Sequence, residues 1–111
     1  MEAVLTKGTM LRFFMPEAER YDGKLLYEWL LDEAKRLNVP GGSAFRAIAG
    51  YGRHGVLHEQ KFFELAGELP VEVVFVTSNE RADRLVARLK EQGVSLVYAR
   101  SDVEFGATAA R

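Results

Sequence analysis

The residues with the clearest potential for chemistry lie in one short stretch, Gly50 to Gly55, which reads GYGRHG. Glycine allows backbone conformations and a close ligand approach that other residues hinder. Arg53 and His54 offer charge-assisted hydrogen bonds, and consecutive backbone N–H groups in such turns form concavities that bind anions. The stretch therefore predicts a site for a small anion such as phosphate, formed by Gly50, Gly52, Arg53, His54 and Gly55. The competing interpretation, a glycine-rich bend with solvated side chains, stays open at this point.

Two histidines raise the question of a metal site. His54 and His58 are four residues apart, a spacing that can bind zinc on a helix. Gly55 disfavours a helix between them, and the chain has no cysteine and no obvious third ligand. We therefore predict no metal site, and a divalent-metal site at these histidines is the alternative.

Two arginines, Arg12 and Arg46, lie within strand-like segments. Either could reach a ligand at a boundary between subunits, although a strand arginine more commonly pairs with a neighbouring acid such as Glu72. The four serines lie in predicted caps, turns or strands, with no base beside them that would activate a nucleophile. We expect a protein without enzymatic activity.

Composition limits the possible functions. The 111 residues fit one domain, residues 1–111, with ends at 1–8 and 102–111 that we expect to be flexible. A net charge of -1 argues against a nucleic-acid partner. No apolar stretch approaches the roughly 20 residues of a membrane span, so we expect no membrane insertion. The lack of cysteine is compatible with a cytoplasmic protein.

The elements that must position these residues follow from hydrophobic periodicity. Helices are predicted after Asp22, as a possible N-cap, and after Ser78 or Asn79. A further short helix is predicted within residues 57–69. The order strand, helix, strand, strand, helix, strand predicts an α+β, ferredoxin-like βαββαβ sandwich. It has a four-stranded antiparallel sheet, two helices on one face, and a long loop between strands two and three.

The face of the sheet that two helices leave uncovered is not polar, although an antiparallel sheet facing water should be. We expect sister chains to cover this face, and the alternative is that the long loop folds over it. The apolar residues that cannot all lie under the helices are Met10, Phe14, Ile48, Val74, Val76 and Val97.

The segment from Gly41 to Glu80 resembles a known prokaryotic family, the domain of unknown function number 190, which is grouped with the PII-like signalling proteins. The resemblance extends from Gly8 to about Arg100. The residues that match the family pattern are Phe45, Arg46, Gly50, Tyr51, Gly52, His54, Gly55, Leu69 and Pro70.

The resemblance implies a homotrimer with the sheets turned inward. PII proteins bind adenine nucleotides between subunits, so ATP, ADP or cyclic AMP is the expected ligand, with no further cofactor. The loop from Gly52 to Pro70 would then contact a protein partner such as a membrane transporter. The second glycine–lysine loop of PII proteins is missing here, so phosphate contacts must come from Gly50 to Gly55 and Arg100, with Arg46 as a further candidate.

Overall fold

A computed structural model of the chain describes residues 5–51, 57–59 and 69–110, with the backbone alone for 57–59. The description includes two helices and eight strands, some of only two or three residues. They are β1 (Thr6–Pro16), β2 (Arg20–Tyr21), β3 (Lys24–Leu25), α1 (Leu26–Arg36), β4 (Gly42–Arg46), β5 (Ala49–Tyr51), β6 (Leu57–Glu59), β7 (Pro70–Thr77), α2 (Asn79–Glu91) and β8 (Val97–Phe105).

The four long strands form one antiparallel sheet in the order β4-β7-β1-β8. β1 is central, with Leu11 opposite Phe75 of β7 on one side and Arg100 of β8 on the other. The two edges of the sheet are therefore β4 and β8. This arrangement confirms the predicted ferredoxin-like fold.

Alternate residues of the central strands point to opposite faces, because side chains in a strand alternate with a period of two. On the covered face, the helices bury these side chains in one apolar core. The core residues from β1 and β7 are Leu11, Phe13, Met15, Val71, Val73 and Phe75, and those from the helices include Leu26, Trp29, Leu30, Ala82, Leu85 and Leu89.

The opposite face, called here the open face, carries the other set of side chains. Its residues are Met10, Arg12, Phe14, Phe45, Glu72, Val74, Val76 and Val97. Phe14 is 38% exposed, Phe45 56% and Val97 69%. The prediction of an apolar uncovered face is confirmed for these residues, whereas Ile48 lies between β4 and β5 and is not part of the sheet.

The structure tests the N-cap residues that were predicted for the two helices. Ser78 is the N-cap of α2, and its side chain accepts a hydrogen bond from the backbone N–H of Arg81, as predicted. The N-cap of α1 is Leu25, without a side-chain cap, so the assignment of Asp22 was wrong. Asp22 (φ 52°) and Gly23 (φ 80°) instead form the turn between β2 and β3, a conformation that aspartate and glycine tolerate.

Two predictions for the middle of the chain were wrong. The alternating sequence SAFRAIAGYG, residues 43–52, predicts one continuous strand, but the strand is broken after Arg46, and only β4 belongs to the main sheet. β5 instead pairs with β6, whose residues Leu57–Glu59 had been predicted as helix. Once β5 leaves the sheet, its backbone needs new partners, and β6 supplies them. Residues 60–68 of the predicted helix lie outside the described residues, and its last residue, Leu69, is not helical.

The sequence VSLVYAR predicts a last strand over residues 94–100, but the strand runs from Val97 to Phe105. β8 continues to Phe105, and its final residues pair with Thr6, Lys7 and Gly8 at the start of β1. Residues 6–8 and 102–105, which were expected to belong to flexible ends, thus pair their backbones with each other. Over the described ranges, neither helix is long and apolar enough to cross a bilayer.

Candidate functional site

The structure separates the residues predicted to bind an anion. Arg46 ends β4, Gly50 lies in β5, and Arg100 lies in β8 at the far edge of the sheet. The four remaining candidates lie outside the described residues, so their arrangement stays a prediction; they are Gly52, Arg53, His54 and Gly55.

Gly50 allows two parts of the chain to approach closely. It lies opposite His58 in the β5–β6 ladder. A Cβ at Gly50 would lie 3.1 Å from Cγ of Pro70, the first residue of β7. A larger residue here would press the β5–β6 pair away from the sheet. The close packing therefore explains why position 50 is a glycine, whether or not a ligand binds nearby.

Arg46 is held by an acid of its own chain. Its Nε donates to Oε1 of Glu17 at 3.1 Å, and its Nη2 donates to Oε2 of the same carboxylate. Glu17 is itself placed by its backbone N–H, which donates to the carbonyl oxygen of Leu69 at 2.9 Å. The paired guanidinium thus lies where β4 ends and β7 begins, and a ligand that binds it must share it with Glu17.

Arg100 belongs to a polar cluster that links three elements. Its Nη2 lies 3.0 Å from Oδ1 of Asp83 on α2 and 3.4 Å from Oγ1 of Thr9 on β1. The Thr9 hydroxyl donates to Oδ1 of Asn79, at the start of α2, at 2.6 Å. These contacts fix the arginine over the N-terminal part of α2 while leaving it 40% exposed to solvent.

A cleft of about 490 Å³ lies at the same end of the sheet. The cleft was not predicted, because residues 102–104 belong to the end that was expected to be flexible and their pairing with β1 was not foreseen. The cleft carries one basic and two acidic side chains, which gives it no strong preference for an anion. Its lining residues are Lys7, Gly8, Asn79, Asp102, Val103 and Glu104.

The distance between the two arginines limits what one chain can bind. Arg46 pairs with Val71, and Arg100 is opposite Leu11, which pairs with Phe75. Three strand spacings and four residues along β7 therefore separate their backbones, or about 20 Å in total. A single phosphate group cannot contact both arginines of the same chain.

The open face carries an ion pair that the sequence had suggested. Arg12 donates from Nε at 3.0 Å and from Nη2 at 2.7 Å to Oε1 of Glu72. The interpretation of Arg12 as the partner of a neighbouring acid is confirmed.

Among the residues whose side chains are described, no group of three or more acidic or histidine side chains could hold a metal ion. His54 is outside them, and only the backbone of His58 is described.

Comparison with known families and proteins gives a consistent result. The family model DUF190, described as "Uncharacterized ACR", matches residues 8–105. A UPF0166 protein of Aquifex aeolicus is 36% identical over 100 residues, which cover 90% of this chain and 94% of that protein. A UPF0166 protein of Methanocaldococcus jannaschii is 30% identical over 87 residues, covering 78% and 80% of the two chains.

Two of the solved structures that share this fold are PII-like proteins. CPII of Thiomonas intermedia, a nitrogen regulatory PII-like protein bound to ADP and bicarbonate, superposes with a TM-score of 0.68 at 18% identity, covering 94% of this chain and 93% of CPII. A putative PII-like signalling protein of Thermus thermophilus gives a TM-score of 0.65 at 20% identity, with 91% of each chain covered. At these identities the likeness shows the PII-like fold alone.

Proposed function

Since the chain belongs to the DUF190 family and has the PII-like fold, we propose that it is a homotrimeric signalling protein that binds an adenine nucleotide between its subunits. The loop from Gly52 to Pro70 then acts on a protein partner. The protein is a regulator without catalytic activity of its own.

The placement of Arg46 and Arg100 carries this proposal. They lie at opposite edges of one sheet, about 20 Å apart. If both arginines contact one phosphate group, they must come from different chains. A closed ring of subunits meets this requirement, because it brings the β4 edge of one chain towards the β8 edge of the next.

The apolar open face supports the same assembly. Phe14, Phe45 and Val97 are large apolar side chains that their own chain leaves exposed. A contiguous apolar surface of this kind marks an interaction site. Burying it between sister chains places the sheet edges at the subunit boundaries.

The chemical class of the ligand is proposed from two sources. Arg100 and the stretch from Gly50 to Gly55 offer donors suited to phosphate oxygens, and Arg46 supplies a further cation. CPII, which shares the fold, has been solved with ADP, AMP and bicarbonate. We expect the phosphates to contact Arg53, His54 and Arg100, with Gly52 and Gly55 shaping the turn around them.

Isothermal titration with ADP, ATP and cyclic AMP tests the ligand. We expect at least one of them to bind, and Arg100→Ala to weaken that binding by about 10- to 100-fold through the loss of charge-assisted hydrogen bonds. Arg84→Ala is the matched control, because Arg84 is an exposed arginine that pairs with Glu80 on α2. This variant should bind the nucleotide with the same affinity as the wild type.

Titration with zinc and copper tests the alternative, a metal-binding trimer. If the wild type binds metal but no nucleotide, and His54→Ala loses the metal, the nucleotide proposal is wrong and the metal-binding trimer replaces it. Equal losses of nucleotide affinity in Arg100→Ala and Arg84→Ala would contradict the site proposed here.

A further inference from the structure

An ion pair lies in the middle of the apolar open face. Arg12 and Glu72 are on the neighbouring central strands β1 and β7. Met10, Phe14, Val74 and Val76 flank the pair on the same strands, and the guanidinium carbon of Arg12 lies 5.8 Å from the centre of the Phe14 ring. A charged pair is thus placed where sister chains are proposed to meet.

The pair leaves hydrogen-bonding capacity unused on both sides. Nε and Nη2 of Arg12 both donate to the same oxygen, Oε1 of Glu72. In the part of the chain that the structure describes, Nη1 of Arg12 donates to no protein group and Oε2 of Glu72 accepts no hydrogen bond. A guanidinium has five N–H donors and a carboxylate about four acceptor positions, so each group can form further hydrogen bonds.

This unused capacity matters once the face is covered. At present water reaches both groups, since the Arg12 side chain is 48% exposed and that of Glu72 27%. Closing the face removes this water, and a charged group without partners in an interface weakens association. The surface therefore favours a partner that supplies an acceptor for Arg12 and a donor for Glu72.

A second copy of this chain meets both requirements, because it carries the same donor and the same acceptor. In a cyclic trimer each chain contacts the next in the same way. We propose that Arg12 of each chain donates through Nη1 to Oε2 of Glu72 in the neighbouring chain. A ring of alternating charges then satisfies every group and makes the apolar face specific for its own copies.

This inference rests on the proposed homotrimer, and a charge-swapped chain tests it. Arg12→Glu/Glu72→Arg keeps the pair within each chain and should assemble with itself. In every mixed trimer with the wild type, however, one boundary places two arginines together and another places two glutamates together. Like charges in an interface are strongly unfavourable, so we expect mixed trimers at least about 10-fold below the statistical level.

The experiment dissociates and reassembles an equal mixture of wild-type and isotope-labelled swapped chains and counts mixed trimers by native mass spectrometry. The control is Glu80→Arg/Arg84→Glu, which swaps an exposed pair on α2 and should mix with the wild type statistically. Statistical mixing of the Arg12/Glu72 swap would overturn the inference while leaving the trimer intact. A monomeric wild-type chain would instead overturn the proposed function, and this inference with it.

A second pair of variants covers the case in which the swapped chain does not fold. Arg12→Glu and Glu72→Arg each place like charges on the open face and should fail to assemble alone. In a mixed trimer two of the three boundaries join unlike charges, against none when either variant is alone, so assembly should return in part if the contacts cross the boundary. If mixing restores nothing, the pair acts only within its own chain and the inference is wrong.

Discussion

The covered and open faces of the sheet are built from the same strands, yet they differ in what packs against them. Phe13 and Phe14 are neighbours in β1, but Phe13 is fully buried under the helices whereas Phe14 is exposed on the other side. The covered face finds its apolar partners within the chain. The open face has comparable apolar residues, and we propose that it finds its partners in other copies of the chain.

The polar residues of the two faces differ in the same way. The covered face buries the hydroxyl groups of Thr9 and Thr77, which are neutral and small. The open face carries the charged side chains of Arg12 and Glu72. Neutral hydroxyl groups are less costly to bury in a dry core than charged groups. A charged pair on a surface instead determines which partner binds there and in which orientation.

The largest effect should come from truncating one phenylalanine on each face. Phe13 packs edge-on against Phe75 and stacks with Tyr98, so Phe13→Ala should lower the free energy of unfolding by about 3–5 kcal/mol in urea titration. Phe14→Ala should keep the circular dichroism of the folded chain but raise the dissociation constant of the trimer more than about 10-fold. An unchanged dissociation constant for Phe14→Ala would remove the distinction between the faces.

A smaller effect is expected at Gly8, where another part of the same chain covers part of the open face. A Cβ at Gly8 would lie 2.3 Å from the backbone oxygen of Thr77 and 2.5 Å from Cε1 of Phe105. Gly8→Ala should therefore cost about 1–3 kcal/mol of unfolding free energy, because the backbone of β7 must shift. Gly41→Ala is the control, since in the described part of the chain no atom beyond its two chain neighbours lies within 4 Å of its Cβ position. Equal stabilities of the two variants would contradict this packing.

The smallest effect separates the two buried threonines of the covered face. Thr77 has a buried hydroxyl oxygen with no hydrogen-bond partner in the described part of the chain, whereas Thr9 donates to Asn79. Thr77→Val should raise the free energy of unfolding by up to about 1 kcal/mol, and Thr9→Val should lower it by about 1–2 kcal/mol. Thermal or urea denaturation measures both, and losses of equal size would show that Thr77 has a partner after all.

Much of the fold could be predicted from the sequence because its signals are local. The strand Pro70–Thr77 and the helix Asn79–Glu91 have strong periodicity and clear boundaries at Pro70, Ser78 and Gly93. The separate pairing of β5 with β6 could not be recognised, because three-residue strands carry almost no periodic signal. The extension of β8 to Phe105 depends on pairing with Thr6, at the other end of the chain, which local composition does not show.

The candidate site was harder to predict than the fold. Arg46 and Arg100 were identified by residue type, but their acidic partners Glu17 and Asp83 lie on other elements, and nothing local in the sequence links them. Such contacts depend on how the elements pack. The pairing of Arg12 with Glu72 was foreseen, because both residues belong to strands that the fold places side by side.

The mass of the protein in dilute solution tests the central claim most directly. Sedimentation equilibrium at micromolar concentration should give three times the mass of the 12.5 kDa chain, with the open faces buried. A single species of 12.5 kDa under the same conditions would contradict the account, because a stable monomer would leave that face exposed and keep Arg46 and Arg100 in separate places.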